Sequence, residues 1–274
     1  MGTPITETDM AALDRVAART WRGTEEEPVG GWLLRAAGGF TGRANSALTA
    51  GDPGMPLPEA AARIRRWYTA RGLTPMASLS YLPGQRDSNP VDRFLADQGW
   101  ALRDEAEVIV MTQRPAAVTV TPAALPVRLD DEPGDDWLAL YHFRGQPGPP
   151  PPIARTILTS APWQAFASAR DGDRTVAIGR VAGAKAGVGS GASEQHWAGL
   201  TAIEVDPDYR RRGLAAAVTT LLIAHAAQRG AAHVFLQVEE GNEPALALYH
   251  RLGFSMHHGY RYRVAPERPQ PASR

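Results

Sequence analysis

The segment IEVDPDYRRRGLA, residues 203–215, decides how the C-terminal half of this chain folds. Its first three residues alternate in polarity, which predicts the end of a β-strand, and residues 206–208 (Asp-Pro-Asp) predict a turn. After Gly213 the apolar residues recur at three- and four-residue spacing, which predicts a long helix. The segment is therefore a strand-to-helix junction.

A junction of this kind can bind an anion. The first N–H groups of a helix have no partner inside it, and the helix dipole places partial positive charge there. Gly213 and Ala215 have small side chains, so a bulky anion can approach the backbone. Arg210, Arg211 and Arg212 add charge at the same place. These features predict a pyrophosphate-binding site; the alternative is a solvated basic turn that caps a core helix.

The segments around the junction predict an α/β fold. A strand–helix–strand passage implies two parallel strands joined by a right-handed crossover, here with antiparallel outer strands. The turn at residues 171–173 (Asp-Gly-Asp) predicts a hairpin, and Gly230 is expected to supply the left-handed cap that ends the long helix. In the C-terminal half the predicted strands span 126–129, 163–169, 174–181, 196–205, 234–238 and 254–264, and the predicted helices span 133–143, 153–159, 213–229 and a short stretch from Pro244.

Composition limits the possible functions. A chain of 274 residues can form two compact domains, and 43% hydrophobic residues argue against disorder. The 29 basic and 29 acidic residues balance, so no global charge favours nucleic acid or an anionic membrane. The absence of cysteine excludes disulfides, thiolate zinc sites and cysteine nucleophiles. We expect no metal, because His257 and His258 lack partners at ligand spacing.

Neither a secretion signal nor a membrane span is expected. Residues 1–20 carry Glu7, Asp9 and Asp14 and lack the apolar core of a signal peptide. No run of 18 apolar residues exists anywhere in the chain. The expectation is a soluble, cytoplasmic protein.

A proline-rich connector divides the chain. Residues 115–126 hold three prolines and no charge, which predicts an extended linker and a domain boundary near residue 118. We therefore predict one domain over residues 1–118 and another over residues 119–274.

The N-terminal half repeats the plan of the C-terminal half in outline. An Arg-Gly pair ends a predicted helix before a predicted strand at Arg71 and again at Arg229. Phe94 to Trp100 likewise parallels Tyr249 to Phe254, and both matches have offsets of 154–158 residues. We interpret this as a duplication, although helix–Arg-Gly–strand junctions are common in α/β proteins.

Two motifs in the C-terminal half resemble one known superfamily. Arg210-x-x-Gly213-x-Ala215 resembles the acyl-CoA pyrophosphate loop of the GNAT N-acetyltransferases, whose pattern is Gln/Arg-x-x-Gly-x-Gly/Ala. The segment from Asn242 to Phe254 resembles that superfamily's second motif. The motifs stand in the family's order with a strand between them, and the resemblance covers about residues 125–265. The N-terminal half lacks the loop and is interpreted as a degenerate GNAT-like domain, so the predicted fold is a tandem arrangement with mixed twisted sheets.

The resemblance implies an N-acetyltransferase that moves an acetyl group from acetyl-CoA to a primary amine. The backbone of the strand would pair with the pantetheine arm, with the Val205 N–H stabilising the developing oxyanion. The N–H groups from Arg211 to Ala215 would hold the pyrophosphate, and Asn242 would bond the pantetheine arm or cap the next helix. The implied cofactor-binding residues are Ile203, Val205, Arg210, Arg211, Arg212, Gly213, Leu214, Ala215 and Asn242.

The resemblance also implies a general acid. Tyr249 would protonate the departing CoA thiolate, for which a phenol is suited because its O–H is a weak acid. The alternative is an ordinary packed tyrosine four residues before a Gly-Phe helix stop.

The general base is left open. An amine is protonated at neutral pH and must lose a proton before it attacks. Glu204 lies on the acetyl-binding strand, on the face opposite Ile203 and Val205. Some family members have their glutamate at the position of Gln237, which cannot usefully accept a proton. Glu239, on the same face as Gln237, is a second candidate, and a water chain is a third.

Direct attack of the amine is expected, because no cysteine and no Ser-His elbow are present. The acceptor is an unidentified small-molecule or peptide amine. A Gly-rich segment at residues 30–46, which contains Arg43, either packs against the other domain or contributes to acceptor binding. The proline-rich residues 147–152 correspond to a region that lines the acceptor pocket in the family. A different class of function is also open: a protein that binds acyl-CoA as a sensor or scaffold without turnover.

Overall fold

The structure is a computed structural model that describes residues 5–103, 107–115, 118–141, 150–186 and 195–267. Within these ranges the helices are α1 Glu7–Thr20, α2 Leu57–Thr69, α3 Pro90–Asp97, α4 Asp135–Leu140, α5 Ile153–Leu158, α6 Leu214–Gln228 and α7 Glu243–Arg251. The strands are β1 Glu25–Val29, β2 Trp32–Ala36, β3 Ala47–Leu48, β4 Met76–Tyr81, β5 Ala101–Leu102, β6 Val108–Gln113, β7 Val127–Asp130, β8 Trp163–Asp171, β9 Arg174–Ala186, β10 Gln195–Val205, β11 His233–Glu239 and β12 Ser255–Val264.

All twelve of these strands belong to one mixed sheet. Their order is β1-β2-β3-β4-β12-β6-β11-β10-β9-β8-β7, and β5 pairs with β12 beside this path. The pairs β3–β4 and β10–β11 are parallel, and the other pairs are antiparallel. This arrangement confirms the predicted α/β class, the parallel crossover through α6 and the hairpin at residues 171–173.

The two halves of the chain exchange strands at the centre of the sheet. Strand β6, from the N-terminal half, lies between β11 and β12, which belong to the C-terminal half. Strand β12 in turn lies against β4 of the N-terminal half. The division at residue 118 stays a prediction, and hydrogen bonding within the sheet crosses it.

Helix α6 covers the sheet beside the predicted anion site. Leu214, Val218 and Leu222 are buried in the largest core cluster. Gly179 on β9 allows this close approach, since a Cβ there would meet the Val218 side chain at 2.6 Å. Gly230 ends the helix at φ 81°, as predicted. None of the described helices combines the length and apolarity that crossing a bilayer needs.

Buried polar contacts join the two halves away from the sheet. Arg180 on β9 is fully buried and donates to the carbonyl oxygen of Thr20 at 3.0 Å. His258 on β12 bonds through Nε2 to Asp14 on α1 at 3.0 Å, and its Nδ1 lies 2.8 Å from Nδ1 of His257. These contacts place α1 against strands of the C-terminal half. A buried polar group is tolerated only when it is bonded, so both contacts constrain the packing.

Candidate functional site

The site is a cleft that opens where β10 and β11 separate. The two strands pair in parallel as far as Leu200 and Leu236, and their pairing ends there. A bulge follows on β10: Thr201 pairs with β9, and pairing resumes at Glu204. Ala202, inside the bulge, has φ 54°, a left-handed conformation that costs an alanine about 1 kcal/mol or more. The bulge therefore turns β10 away from β11 and leaves backbone groups exposed between them.

The cleft has a volume of about 1260 Å³ and extends from the start of α6 to the inner face of α7. Its walls are the ends of β10 and β11, and Arg43 and Tyr141 reach it from outside these elements. Every predicted cofactor-binding residue except Arg212 lines it, as do Tyr249, Glu204 and Glu239. The structure thus brings the two sequence motifs together around a single space.

The start of α6 has the form that binding of an anion requires. Gly213 is the N-cap with φ 78°, and the helix has no side-chain cap, so its first N–H groups face the cleft mouth. A Cβ at Gly213 would meet no atom within 4 Å, which leaves the approach open. Arg211 is also left-handed, at φ 65°. Uncapped N–H groups at the positive end of a helix dipole, beside exposed arginines, fit a pyrophosphate.

The turn before this helix is braced by its own side chains. Asp206 accepts from the Asp208 N–H at 3.0 Å and from Arg174 Nη2 at 2.6 Å. Arg212 donates to the Asp208 carbonyl at 2.9 Å and covers the ring of Tyr209 at 4.7 Å. Arg212 therefore supports the loop from outside the cleft.

Tyr249 presents a protonated phenol to the cleft. Its side chain is buried, with the ring 5.9 Å from that of Phe254. Burial raises the pKa of Tyr249 to about 12. Among the described residues no group bonds its hydroxyl. The phenol is therefore neutral at ordinary pH and keeps a proton that it can donate.

Glu204 is half-buried in the same cleft, beside Tyr141. Burial raises the pKa of Tyr141 to about 12; the charges of Arg43 and Arg180 lower it, and that of Glu204 raises it. The phenol of Tyr141 thus lies within electrostatic reach of one carboxylate and two guanidinium groups. Glu204 belongs to this charged end of the cleft, while Ile203 and Val205 pack against the core cluster.

The other candidate base lies in a different environment. Glu239 is exposed at the last position of β11. Gln237, two residues earlier, accepts a hydrogen bond from Arg43 Nη1 at 2.9 Å. Both carboxylates line the cleft, but Glu239 is exposed to solvent whereas Glu204 is half-buried.

Comparison with known proteins agrees with this geometry. Residues 7–263 match the family described as "Probable histone acetyltransferase Rv0428c C-terminal". The chain belongs to this family of GNAT-superfamily acetyltransferases. It is 27% identical over 259 residues to the uncharacterized N-acetyltransferase YobR of Bacillus subtilis, with 93% of this chain and 98% of that protein covered.

Solved structures share the fold over nearly the whole chain. A GCN5-related N-acetyltransferase from Kribbella flavida matches with a TM-score of 0.63 and 16% identity, covering 97% of both chains. A tandem GNAT protein from the clavulanic acid biosynthesis pathway matches with a TM-score of 0.57 and 16% identity, covering 98% of this chain and 91% of that one. The predicted GNAT fold and its tandem arrangement are confirmed.

In this GNAT protein Asn242 acts as a helix cap. Its side chain accepts from the Ala245 N–H at 3.2 Å at the start of α7. Asn89 does the same for α3 in the N-terminal half, accepting from the Val91 N–H at 2.9 Å. Since both halves use the device, capping accounts for an asparagine here without a ligand.

Sequence reasoning missed part of the site. Tyr141 and Arg180 stand in segments without any motif, so no local signal could have indicated them. Arg43 belongs to the Gly-rich segment for which acceptor binding was one interpretation. Residues 147–149 of the proline-rich stretch lie outside the described ranges. Within those ranges no three His, Asp or Glu side chains are grouped closely enough to hold a metal ion.

Proposed function

We propose that this protein transfers an acetyl group from acetyl-CoA to a primary amine by direct attack of the amine. One observation carries the proposal: a single cleft joins the uncapped start of α6, the separated edges of β10 and β11, and Tyr249. YobR is named an uncharacterized N-acetyltransferase and the family is named for a probable histone acetyltransferase, and both names support an amine acceptor.

The residues present fit acetyl-CoA at both ends. The N–H groups from Arg211 to Ala215 would hold its pyrophosphate, with Arg210 beside them. The unpaired edge of β10 from Ile203 to Val205 would bond its pantetheine arm as an added strand does. When bound, acetyl-CoA supplies an activated thioester, which is the chemistry the chain itself lacks.

Three groups of the chain would act on protons and charge. Glu204 accepts the proton that the amine must lose before it can attack. The Val205 N–H donates to the oxygen that gains negative charge, which lowers the barrier without reorganisation. Tyr249 gives its Oη proton to the departing thiolate, and its raised pKa keeps that proton in place until it is needed.

Thiol release tests the proposal against a protein that binds acyl-CoA as a sensor or scaffold. The full chain is incubated with acetyl-CoA and a broad panel of amines, and free thiol is measured together with acetylated product. Release that depends on an amine supports transfer. Tight binding of acetyl-CoA with no release on any amine would favour the sensor or scaffold.

A further inference from the structure

Arg43 brings a positive charge from the N-terminal half into the cleft. Its guanidinium covers the ring of Trp21 at 4.3 Å, and its Nη1 donates to Gln237 Oε1 at 2.9 Å. Gln237 is uncharged, and no described carboxylate lies within 4.0 Å of this guanidinium. Four of its five N–H groups therefore have no partner among the described residues.

A second guanidinium increases the positive charge at this end. Arg180 is fully buried and bonds the carbonyl oxygens of Leu158 at 2.6 Å and Thr20 at 3.0 Å, and the hydroxyl of Thr201 at 3.3 Å. All three partners are neutral. Burial lowers the pKa of Arg180, and the charge of Arg43 lowers it further, so the two cations repel each other. Two guanidinium groups thus act at this end against the single carboxylate of Glu204, and a second anion placed beside Arg43 would relieve the repulsion.

This charge is remote from the predicted pyrophosphate loop. Gln237 directly follows Leu236, where β10 and β11 cease to pair, so Arg43 lies at the apex of the cleft. The loop begins after Val205, at the open end of the same strand. The phosphates of acetyl-CoA would bind at the loop and would not reach the apex, so the apex remains open to the acceptor.

We infer that Arg43 recognises an anionic oxygen group, a carboxylate or a phosphate, that the amine acceptor carries. The inference rests on the proposed function and assigns its substrate class. Stacking on Trp21 and the bond to Gln237 fix the guanidinium plane, so little freedom is lost when its open edge binds two oxygens. Glu204 takes the amine of the same molecule, and the acceptor is thus bound at both of its charged ends.

Matched amines test this class of acceptor. β-Alanine is compared with β-alaninamide, and phosphoethanolamine with ethanolamine, as kcat/KM for thiol release from acetyl-CoA. We expect the anionic member of one pair to be favoured by at least about tenfold, because a charge-assisted bidentate contact contributes about 10- to 100-fold. The pair that shows the preference tells carboxylate from phosphate.

Variants assign the preference to the residue. Arg43→Met keeps an apolar stem over Trp21 and should lower kcat/KM for the anionic amine about 10- to 100-fold, with little change for its neutral partner. Arg43→Lys should retain part of the preference. Arg22→Met is the control: it removes the same charge beside Trp21, but Arg22 is exposed and pairs with Glu26. This control should keep the preference of the wild type.

Two results would overturn the inference while leaving acetyl transfer intact. One is a wild type that prefers the neutral amines. The other is an Arg43→Met variant in which kcat/KM falls equally for the anionic and the neutral amine. If no amine releases thiol, the proposed transfer fails, and binding is measured instead. Calorimetry with N-acetyl-β-alanine and its amide, in the presence of CoA, should then show tighter binding of the acid, lost in Arg43→Met. The same titration compares N-acetylphosphoethanolamine with N-acetylethanolamine, and equal or absent binding in both pairs would overturn the inference independently.

Discussion

The two halves of the chain contain the same strand–helix–strand junction, which is open in one half and closed in the other. Each has a parallel strand pair joined through a helix: β10, α6 and β11 in the C-terminal half, and β3, α2 and β4 in the N-terminal half. In the first, the strands separate and the freed backbone lines a cleft. In the second, β3 is only two residues long, and Thr49 beyond it still donates to the Ser78 carbonyl at 2.8 Å.

The chain itself occupies the backbone groups that would form a cleft in the N-terminal half. The carbonyl of Ala50 accepts from Arg15 Nη2 at 2.6 Å, and that of Gly51 accepts from Trp32 Nε1 at 2.8 Å. The carbonyl of Asp52 accepts from the Gly31 N–H at 2.6 Å. The carbonyl groups that a strand-like ligand arm would bond there are therefore already occupied.

The helices differ as well. Helix α2 has Pro56 as its N-cap and Pro58 in its first turn, so two N–H donors are missing where α6 offers a free set. Phe94 occupies the position that matches Tyr249, without a hydroxyl. The comparison teaches that topology alone does not make the site. A scaffold of this shape binds a ligand only where its own side chains leave the strand edge and the helix start unsatisfied.

The largest expected effect is the loss of acetyl-CoA binding on Gly213→Glu. The new carboxylate lies where a pyrophosphate would bind and opposes its charge, so we expect affinity to fall by at least about 100-fold. Calorimetry on the folded variant measures it. Gly230→Glu is the matched control, because Gly230 also has a left-handed φ, at 81° against 78°, and open space around its Cβ. It carries the same strain at the far end of α6 and should bind normally.

The same titration tests the N-terminal half. The wild type should saturate with one acetyl-CoA per chain, because the carbonyl groups of residues 50–52 are already bonded. Two molecules per chain would contradict the comparison, and unchanged affinity in Gly213→Glu would refute the site assignment.

Tyr249→Phe removes one atom and makes this position of the C-terminal half match Phe94 of the N-terminal half. We expect kcat to fall about 100-fold, which is within the range for loss of a general acid, while acetyl-CoA affinity hardly changes because the ring stays. Steady-state kinetics and calorimetry separate the two quantities. Phe94→Tyr is the reciprocal control and should leave both unchanged. A Tyr249→Phe enzyme at full speed would reduce that tyrosine to a packing residue.

A smaller effect is expected for the base. Glu204→Gln should lower kcat about 10- to 100-fold and remove the acidic limb of the pH–rate profile, since that limb reports ionisation of the base. The exposed Glu239 provides the control, and Glu239→Gln should retain both. If instead Glu204→Gln keeps its rate and its acidic limb, the proton goes to Glu239 or to water.

The smallest effect on the reaction is expected at the contact between the halves, where only the stability of the fold should change. Burial lowers the pKa of His257 to about 4, helped by the charge of His258, from an ordinary value of about 6.5. The unfolded chain therefore binds the proton of His257 more readily than the folded chain does. The stability that the neutral, buried imidazole contributes is full above about pH 6.5 and is lost as the pH falls toward 4. We expect a loss of about 3 kcal/mol over that range.

Thermal unfolding at several pH values measures this loss. His257→Asn should flatten the dependence, because no imidazole remains to be protonated. An equally steep dependence in the variant would assign the acid sensitivity to another group.

The sequence predicted what is local and missed what is distant. The phosphate loop and the second motif each lie within about a dozen consecutive residues, so spacing revealed both. The left-handed Ala202 had no signal, because alanine does not favour that conformation and only the splayed strands require it. Asp14 and His258 are 244 residues apart, and neither stands in a motif. Only the glycines around Arg43 could draw attention to it, because the fold alone brings it to its hydrogen-bond partner, Gln237.

The exchange of β6 and β12 also determines when the sheet can be completed during synthesis. Strand β4 is complete when residue 81 has been added, but its neighbour β12 ends at Val264. At ~5–20 residues per second, the ribosome needs roughly 9–37 s to cover that distance. Until then β4 presents an unpaired edge and β6 lacks β12, and the other neighbour of β6, strand β11, is itself complete only at Glu239. The nascent N-terminal half must therefore wait, partly assembled, for the last strand that the structure describes.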